Sequence, residues 1–112
     1  MVEDLQLSKS ERLLIWRRRQ GLGQEEASAQ LGISHRRYGR WERGLETPEV
    51  DQPVDRLTVF ERLFILRRRE GISQQEVAES LGCTRAWVQM METGESSSEQ
   101  LQNYWKGRAN AS

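Results

Sequence analysis

The chain has 112 residues, 36% of them hydrophobic and 30% charged, with 17 basic side chains set against 17 acidic ones. That length allows one ordinary domain or two small ones, and the apolar share with only two prolines fits a helix-rich globular protein rather than a disordered tail. A zero net charge argues against an indiscriminate polyanion binder, no apolar run approaches the roughly 18 residues of a membrane span, and the polar start MVEDLQLSKS does not read as a secretory signal, so a cytoplasmic protein without membrane contact is expected.

The first predicted element is a helix over about Lys9 to Gln20. Ser8 and Glu11 stand at the S-x-x-E spacing in which hydroxyl and carboxylate satisfy backbone donors reciprocally at a helix start. Gly21 ends the helix, and Arg17, Arg18 and Arg19 occupy its last turn, where cations suit the helix dipole. Of the apolar run Leu13, Leu14, Ile15 and Trp16, a small domain needs one stripe through positions 13, 16 and 17. Positions 14 and 15 are surplus and ask for cover from the second half of the chain, from a second chain or from the stretch that joins the two halves. A second helix is expected from Gln24 to just before Gly32, with Ala27, Ser28 and Leu31 inside, and a third after the N-cap Ser34, stopping at Gly44.

The stretch LETPEVDQPVDRLTVF, residues 45–60, follows with four acids, one arginine and both prolines. It reads as a connector, and its about 13 free residues reach roughly 43 Å when extended. What it joins could thus stand well apart; equally, the two sides could pack together. Then the pattern recurs: a capping box at Thr58 and Glu61, another at Ser73 and Glu76 opening a helix over Gln74 to Leu81, and a helix from Arg85 to Thr93 after Thr84. A further box is expected at Ser96 and Glu99, opening a final helix with Leu101, Tyr104 and Trp105 on one face, and the closing RANAS is expected to fray.

This is an internal repeat at an offset of fifty. Across the 34 positions from Glu11 to Gly44, 14 residues recur identically between Glu61 and Gly94, ERLLIWRRRQGLGQ answering ERLFILRRREGISQ. The charge is uneven beneath the neutral total. Copy one has eight arginines against four glutamates, a surplus of +4, whereas copy two has five of each. The acidic connector therefore offsets a basic surface concentrated in copy one. The expected domains are 1–47 and 48–112.

Two short helices joined through LGIS or LGCT, with Gly32 or Gly82 in the turn, have the arithmetic of a helix-turn-helix. Each copy resembles the phage repressor and Cro (lambda-repressor-like) type of helix-turn-helix domain, through Arg17, Leu22, Gln24, Glu25, Glu26, Leu31, Gly32, Ile33, Ser34, Tyr38, Trp41, Glu42 and Gly44, and again through Arg67, Ile72, Ser73, Gln74, Glu76, Val77, Ala78, Leu81, Gly82, Thr84, Val88, Met91, Glu92 and Gly94. The resemblance covers about two thirds of the chain and implies an all-α fold of two tandem domains with a C-terminal helix. Copy one departs from the family pattern at Ala27 and Ser28, where leucine and alanine are usual, and at Pro48 and Pro53, where further helices usually follow. The resemblance also implies an ion pair in each copy, Arg17 with Glu42 and Arg67 with Glu92, both structural in role.

In such a domain the third helix enters the major groove and the start of the second meets phosphate. That assigns His35, Arg36, Arg37 and Arg40 in copy one, and Arg85 and Gln89 in copy two, to the reading surface, with Gln24 and Gln74 at phosphate. Arginine suits the task because its fork matches guanine O6 and N7. The plainer alternatives are a solvated basic face for the arginines, an ordinary polar contact for His35, and helix capping for the two glutamines. Trp87, where a small or polar reader would be expected, fits either a sugar or methyl contact or a surface turned to protein.

Cys83 stands alone and reads as a core side chain; no metal spacing, phosphate loop or nucleophile–base set is present, so neither cofactor, metal nor enzymatic activity is expected. The leading expectation is a sequence-specific double-stranded-DNA-binding transcriptional regulator, a repressor of the kind mobile elements encode. The rival is a protein-binding modulator on the same scaffold, acting as an anti-activator, antitoxin or polymerase binder. A homodimer and a second regulatory protein both stand open as partners.

Overall fold

A computed structural model of the chain describes residues 6–111, with side chains through Arg108. Seven helices and no strand are found among the described residues, and they divide into two compact units, one reaching to Arg56 and the other beginning at Leu57. The first unit holds α1 (Lys9–Gln20), α2 (Gln24–Leu31) and α3 (His35–Glu42); the second holds α4 (Val59–Glu70), α5 (Gln74–Leu81), α6 (Arg85–Thr93) and α7 (Glu99–Ala111).

Local chemistry sets these boundaries. At the start of α1, Ser8 Oγ accepts from the Glu11 N–H at 3.1 Å while Glu11 Oε1 accepts from the Ser8 N–H at 2.9 Å. Thr58 and Glu61 repeat the exchange at the start of α4, at 3.2 and 2.9 Å. Gly23 has no side chain to complete a box, so α2 begins with half of one: the Gly23 N–H donates to Glu26 Oε1 at 3.1 Å. The turn between α2 and α3 passes through Gly32 at φ +71°, and its counterpart through Gly82 at φ +68°. An L side chain at φ above zero is strained, which is why the turn falls on glycine in both copies.

Each unit closes on its own apolar cluster. In the first, Leu13, Ala27, Tyr38 and Trp41 are buried together, with Trp16, Leu22, Leu31, Ile33 and Val50 packed around them. In the second, Leu63, Val77, Ala78, Val88 and Met91 are joined by Leu101 and Trp105 of α7, with Cys83 packed at the margin. The small Ala27 of copy one packs in one cluster with the bulky Tyr38 and Trp41 of α3, where copy two packs Val77 and Ala78 with Val88 and Met91. Leu14 and Ile15, surplus to a single stripe, are nonetheless only 2% and 0% exposed. The large hydrophobic side chains left open among the described residues are Leu45, Val59 and Trp87.

Three expectations are corrected. The connector is not free: Pro48 is buried, Val50 joins the first cluster, Asp51 pairs with Arg12 Nε at 2.6 Å, and Arg19 donates to the Arg56 carbonyl. The unit boundary consequently falls after Arg56 rather than after residue 47. The box at Ser96 and Glu99 does not form, because α7 begins at Glu99 itself. The Glu99 N–H donates instead to Ser97 Oγ at 3.4 Å, the helical bonds open with the Gln102 N–H on the Ser98 carbonyl at 2.8 Å, and Ser96 Oγ is buried without a hydrogen-bond partner. Finally, of the closing RANAS, residues 108–111 continue α7, while Ser112 lies outside the described residues.

Gly94 supplies the test of this packing. It ends α6 at φ +83°, and a Cβ there would come within 2.6 Å of the Phe60 ring, whereas Gly44, at φ +75°, would present a Cβ to open space. Gly44→Ala should therefore lose about 1 kcal/mol, the cost of a left-handed L residue, and Gly94→Ala should lose at least about another 1 kcal/mol for the clash. Urea unfolding followed by circular dichroism measures both, and equal losses would contradict the Phe60 contact.

Candidate nucleic-acid interface

The site begins with a buried carboxylate. Glu42, at the end of α3, is 4% exposed and cannot remain charged there without donors. It has them: Arg17 of α1 donates from Nε to Oε2 at 2.6 Å and from Nη2 to Oε1 at 3.1 Å, Tyr38 Oη donates to Oε2 at 2.6 Å, and Gln24 Nε2 of α2 donates to Oε1 at 2.9 Å. A third donor of Arg17 reaches the Leu22 carbonyl at 3.0 Å, in the turn between α1 and α2. Burial pushes the Glu42 carboxyl up, but the hydrogen bonds from Arg17, Tyr38 and Gln24 outweigh it and hold the carboxyl below its ordinary value. The same burial acts against the Arg17 charge and is outweighed by its bond to Glu42, leaving the guanidinium raised. Burial first, and then the bond to Glu42, raises the Tyr38 phenol.

The second unit repeats the device with one part exchanged. Arg67 Nε donates to Glu92 Oε2 at 2.7 Å, Arg67 Nη1 to the Ile72 carbonyl at 2.9 Å, and Gln74 Nε2 to Glu92 Oε1 at 3.1 Å. Val88 stands where Tyr38 stands in the first copy and brings no hydroxyl. In each unit one carboxylate thus ties the end of the first helix, the start of the second and the end of the third together, which fixes the angle of the helix-turn-helix.

Above this joint the first unit opens a groove of about 600 Å³ lined by Gln24, His35, Arg36, Gly39 and Arg43. His35 and Arg36 are exposed at the start of α3, and the exposed Arg43 follows just past its end. Positions 36, 39 and 43 fall on one helical face by the spacing of three and four; Gly39 leaves open space where a Cβ would stand at the centre of that face, and its carbonyl accepts from Arg43 Nε at 3.3 Å. Arg43 and Gly39 were not among the residues expected at this surface, although their helical spacing from Arg36 was available in the sequence. Gln24 is oriented differently from a free phosphate ligand: its amide nitrogen is turned inward to Glu42.

Arg37 and Arg40 do not line that groove. Both are half-buried and lie against the acidic segment that follows α3: Arg37 Nη2 meets Glu49 Oε1 at 2.5 Å, Arg37 Nε is 3.5 Å from Glu46 Oε2, and Arg40 Nη2 is 3.6 Å from Glu46 Oε1. The bond to Glu49, with its charge, raises the Arg37 guanidinium further above its ordinary value.

The corresponding groove of the second unit, about 500 Å³, is lined by Arg67, Ser73, Gln74, Gln75 and Arg85. Arg85 Nε donates to Gln74 Oε1 at 3.4 Å, so Gln74 bridges the buried Glu92 and the exposed Arg85. Gln89 is exposed on α6 outside that lining, and Trp87, 39% exposed, donates its indole N–H to Gln100 Oε1 at 3.3 Å.

Comparison with protein families bears directly on this arrangement. Residues 13–52 match a family model described as helix-turn-helix, and residues 61–101 match another described as helix-turn-helix domain. The chain carries two tandem helix-turn-helix domains. The matched spans contain the Arg17–Glu42 and Arg67–Glu92 pairs and both grooves. The first family is of the repressor and Cro type, and its match supports a DNA-binding regulator in general. Comparison with curated proteins and with solved structures gave no match. Among the described residues no group of three or more His, Cys, Asp or Glu could hold a metal ion, and no helix is long and apolar enough to cross a membrane.

The buried pair has a pH signature. Because the folded carboxyl of Glu42 lies below its unfolded value, its contribution is fully present above the unfolded carboxylate range near about 4.3 and is lost as pH falls through the depressed folded value. Glu42→Gln leaves Arg17 without its anion and should lose about 3 kcal/mol near neutral pH. The gap to the parent chain should narrow below about pH 4. Urea unfolding at neutral and acidic pH measures it; a gap independent of pH would contradict a charged Glu42.

Proposed function

We propose that the chain is a sequence-specific double-stranded-DNA-binding transcriptional regulator, and that the first unit is its principal reader. The observation that carries this reading is the groove at the α2–α3 joint, where Arg36 and Arg43 are exposed on either side of Gly39, beside His35 and the start of α2. Arg36 would take base edges through its fork, Arg43 and the first backbone donors of α2 would take phosphate, and Gly39 would allow close approach. The uneven charge supports the assignment, since the +4 surplus lies in the first copy. Occlusion of a promoter is the mode of action we assign, as a repressor of the mobile-element kind, in keeping with the likeness to the repressor and Cro type.

A second reading, contact with another regulatory protein, draws support from the second unit alone. Its third helix presents Ala86, Trp87 and Gln89 where the first unit presents Arg36, Arg37 and Gly39, and Trp87 keeps 39% of its surface open. Salt separates the two readings: binding through several phosphates weakens steeply between about 50 and 200 mM salt, whereas an apolar protein interface barely responds.

Selection of preferred duplexes from a random pool, followed by affinity measurement on the selected sequence, tests the proposal. Arg36→Ala should weaken that affinity by about 1 to 3 kcal/mol and relax preference at one or two base pairs, with the melting curve unchanged because Arg36 is exposed. Equal affinity in the variant would remove the first unit as the reader.

A further inference from the structure

The segment after α3 folds back along that helix. The Trp41 indole N–H donates to Glu46 Oε2 at 3.0 Å, holding the carboxylate 3.5 Å from Arg37 Nε and 3.6 Å from Arg40 Nη2. Beyond the buried Pro48, Glu49 Oε1 accepts from Arg37 Nη2 at 2.5 Å, and the Arg37 guanidinium lies 5.2 Å from the centre of the Trp41 ring. Two carboxylates therefore occupy the side of α3 that carries Arg37 and Arg40, with the negative charge and acceptor oxygens that a phosphate would bring there.

The second copy is an internal control. Fifty positions on, Arg37 becomes Trp87, Arg40 becomes Met90, Trp41 becomes Met91 and Glu46 becomes Ser96, and of this set only Glu49 recurs as an acid, at Glu99. The two arginines, the tryptophan that seats the carboxylate and the carboxylate itself are present together in one copy and absent together in the other. A generally acidic connector would not show that association.

Resting on the duplex-binding reading of the first unit, we infer that Glu46 and Glu49 are specificity-setting residues: they stand in for phosphate on Arg37 and Arg40 and so hold down indiscriminate attraction to nucleic acid, leaving Arg36 and Arg43 as the cations first offered to a duplex. Exposed ion pairs are weak, so the arrangement tunes affinity and does not block it. It also gives the neutral total a function, because the acids are placed on particular arginines and are not merely dispersed over the surface.

The test compares the full chain with the double variant E46Q/E49Q. Glutamine at position 46 keeps an acceptor for the Trp41 indole while removing the charge. Two readouts are needed: affinity for a random-sequence duplex from about 50 to 200 mM salt, and the salt needed to elute the protein from heparin. Two released arginines should steepen the log–log salt slope by about 1.8, at about 0.9 per phosphate, so the variant's advantage over the parent chain should be about tenfold greater at the lower salt. Heparin elution should move to higher salt. Adding R37Q and R40Q to the variant should abolish both gains. Glu49→Gln alone, at a side chain 69% exposed, should leave the melting curve unchanged and give less than half of the change in slope, because Glu46 stays beside Arg37.

Wild-type slope and wild-type heparin elution in both variants overturn the inference. Tight duplex binding by the parent chain that the variants leave unchanged overturns it too, while the duplex reading stands. Later heparin elution by E46Q/E49Q with no duplex binding by either protein keeps the masking of Arg37 and Arg40 and removes the duplex reading instead.

Discussion

A single buried carboxylate in each copy holds the arrangement together. The helices it joins are short, 12, 8 and 8 residues in the first unit and 12, 8 and 9 in the corresponding part of the second, and helices of that length are marginal in water without tertiary contacts. Apolar packing is non-directional and sets their proximity. Hydrogen bonds from Arg17 and Gln24 to Glu42, and from Arg67 and Gln74 to Glu92, set their angle. The groove depends on that angle, because its two sides are the start of the second helix and the exposed face of the third.

The copies keep this joint and differ on what surrounds it. The identical residues include Arg17, Gln24, Leu31, Glu42 and the glycines at 21, 32 and 44, which are the ion pair, its bridging amide, a leucine packed on the core and the three helix-ending glycines. On the third helix the copies differ in charge: His35, Arg36, Arg37 and Arg40 stand against Arg85, Ala86, Trp87 and Met90. The core differs in a compensating way, with Ala27 beside Tyr38 and Trp41 in one unit and Val77 and Ala78 beside Val88 and Met91 in the other. A duplicated scaffold thus presents a cationic face once and a largely uncharged, aromatic one the second time.

The helices, their caps and their turns were legible because each is decided by residues within a few positions of one another: Ser8 with Glu11, Thr58 with Glu61, and the glycines at 21, 32, 71 and 82. The Arg17–Glu42 contact, 25 positions apart, was legible only through the family resemblance, since no local rule pairs them. What escaped was decided by folding back over longer paths. Glu46 and Glu49 read as anonymous connector charge until Trp41 and Pro48 seat them against α3. Pro48 and Val50 read as linker until they close the first core. Ser96 resembled a cap, but a box spacing alone does not settle which of three consecutive serines precedes the helix, and α7 begins too late for it.

The central claim is that the joint formed around Glu42 presents the face of Arg36, Gly39 and Arg43 to a duplex. Mapping of backbone amide shifts by nuclear magnetic resonance, as a selected duplex is titrated into the full chain, tests it most directly. The largest changes are predicted at Gln24, His35, Arg36, Gly39 and Arg43. Changes confined to Trp87, Gln100 and the rest of the α6 and α7 surface, with the Arg36 face silent, would contradict it.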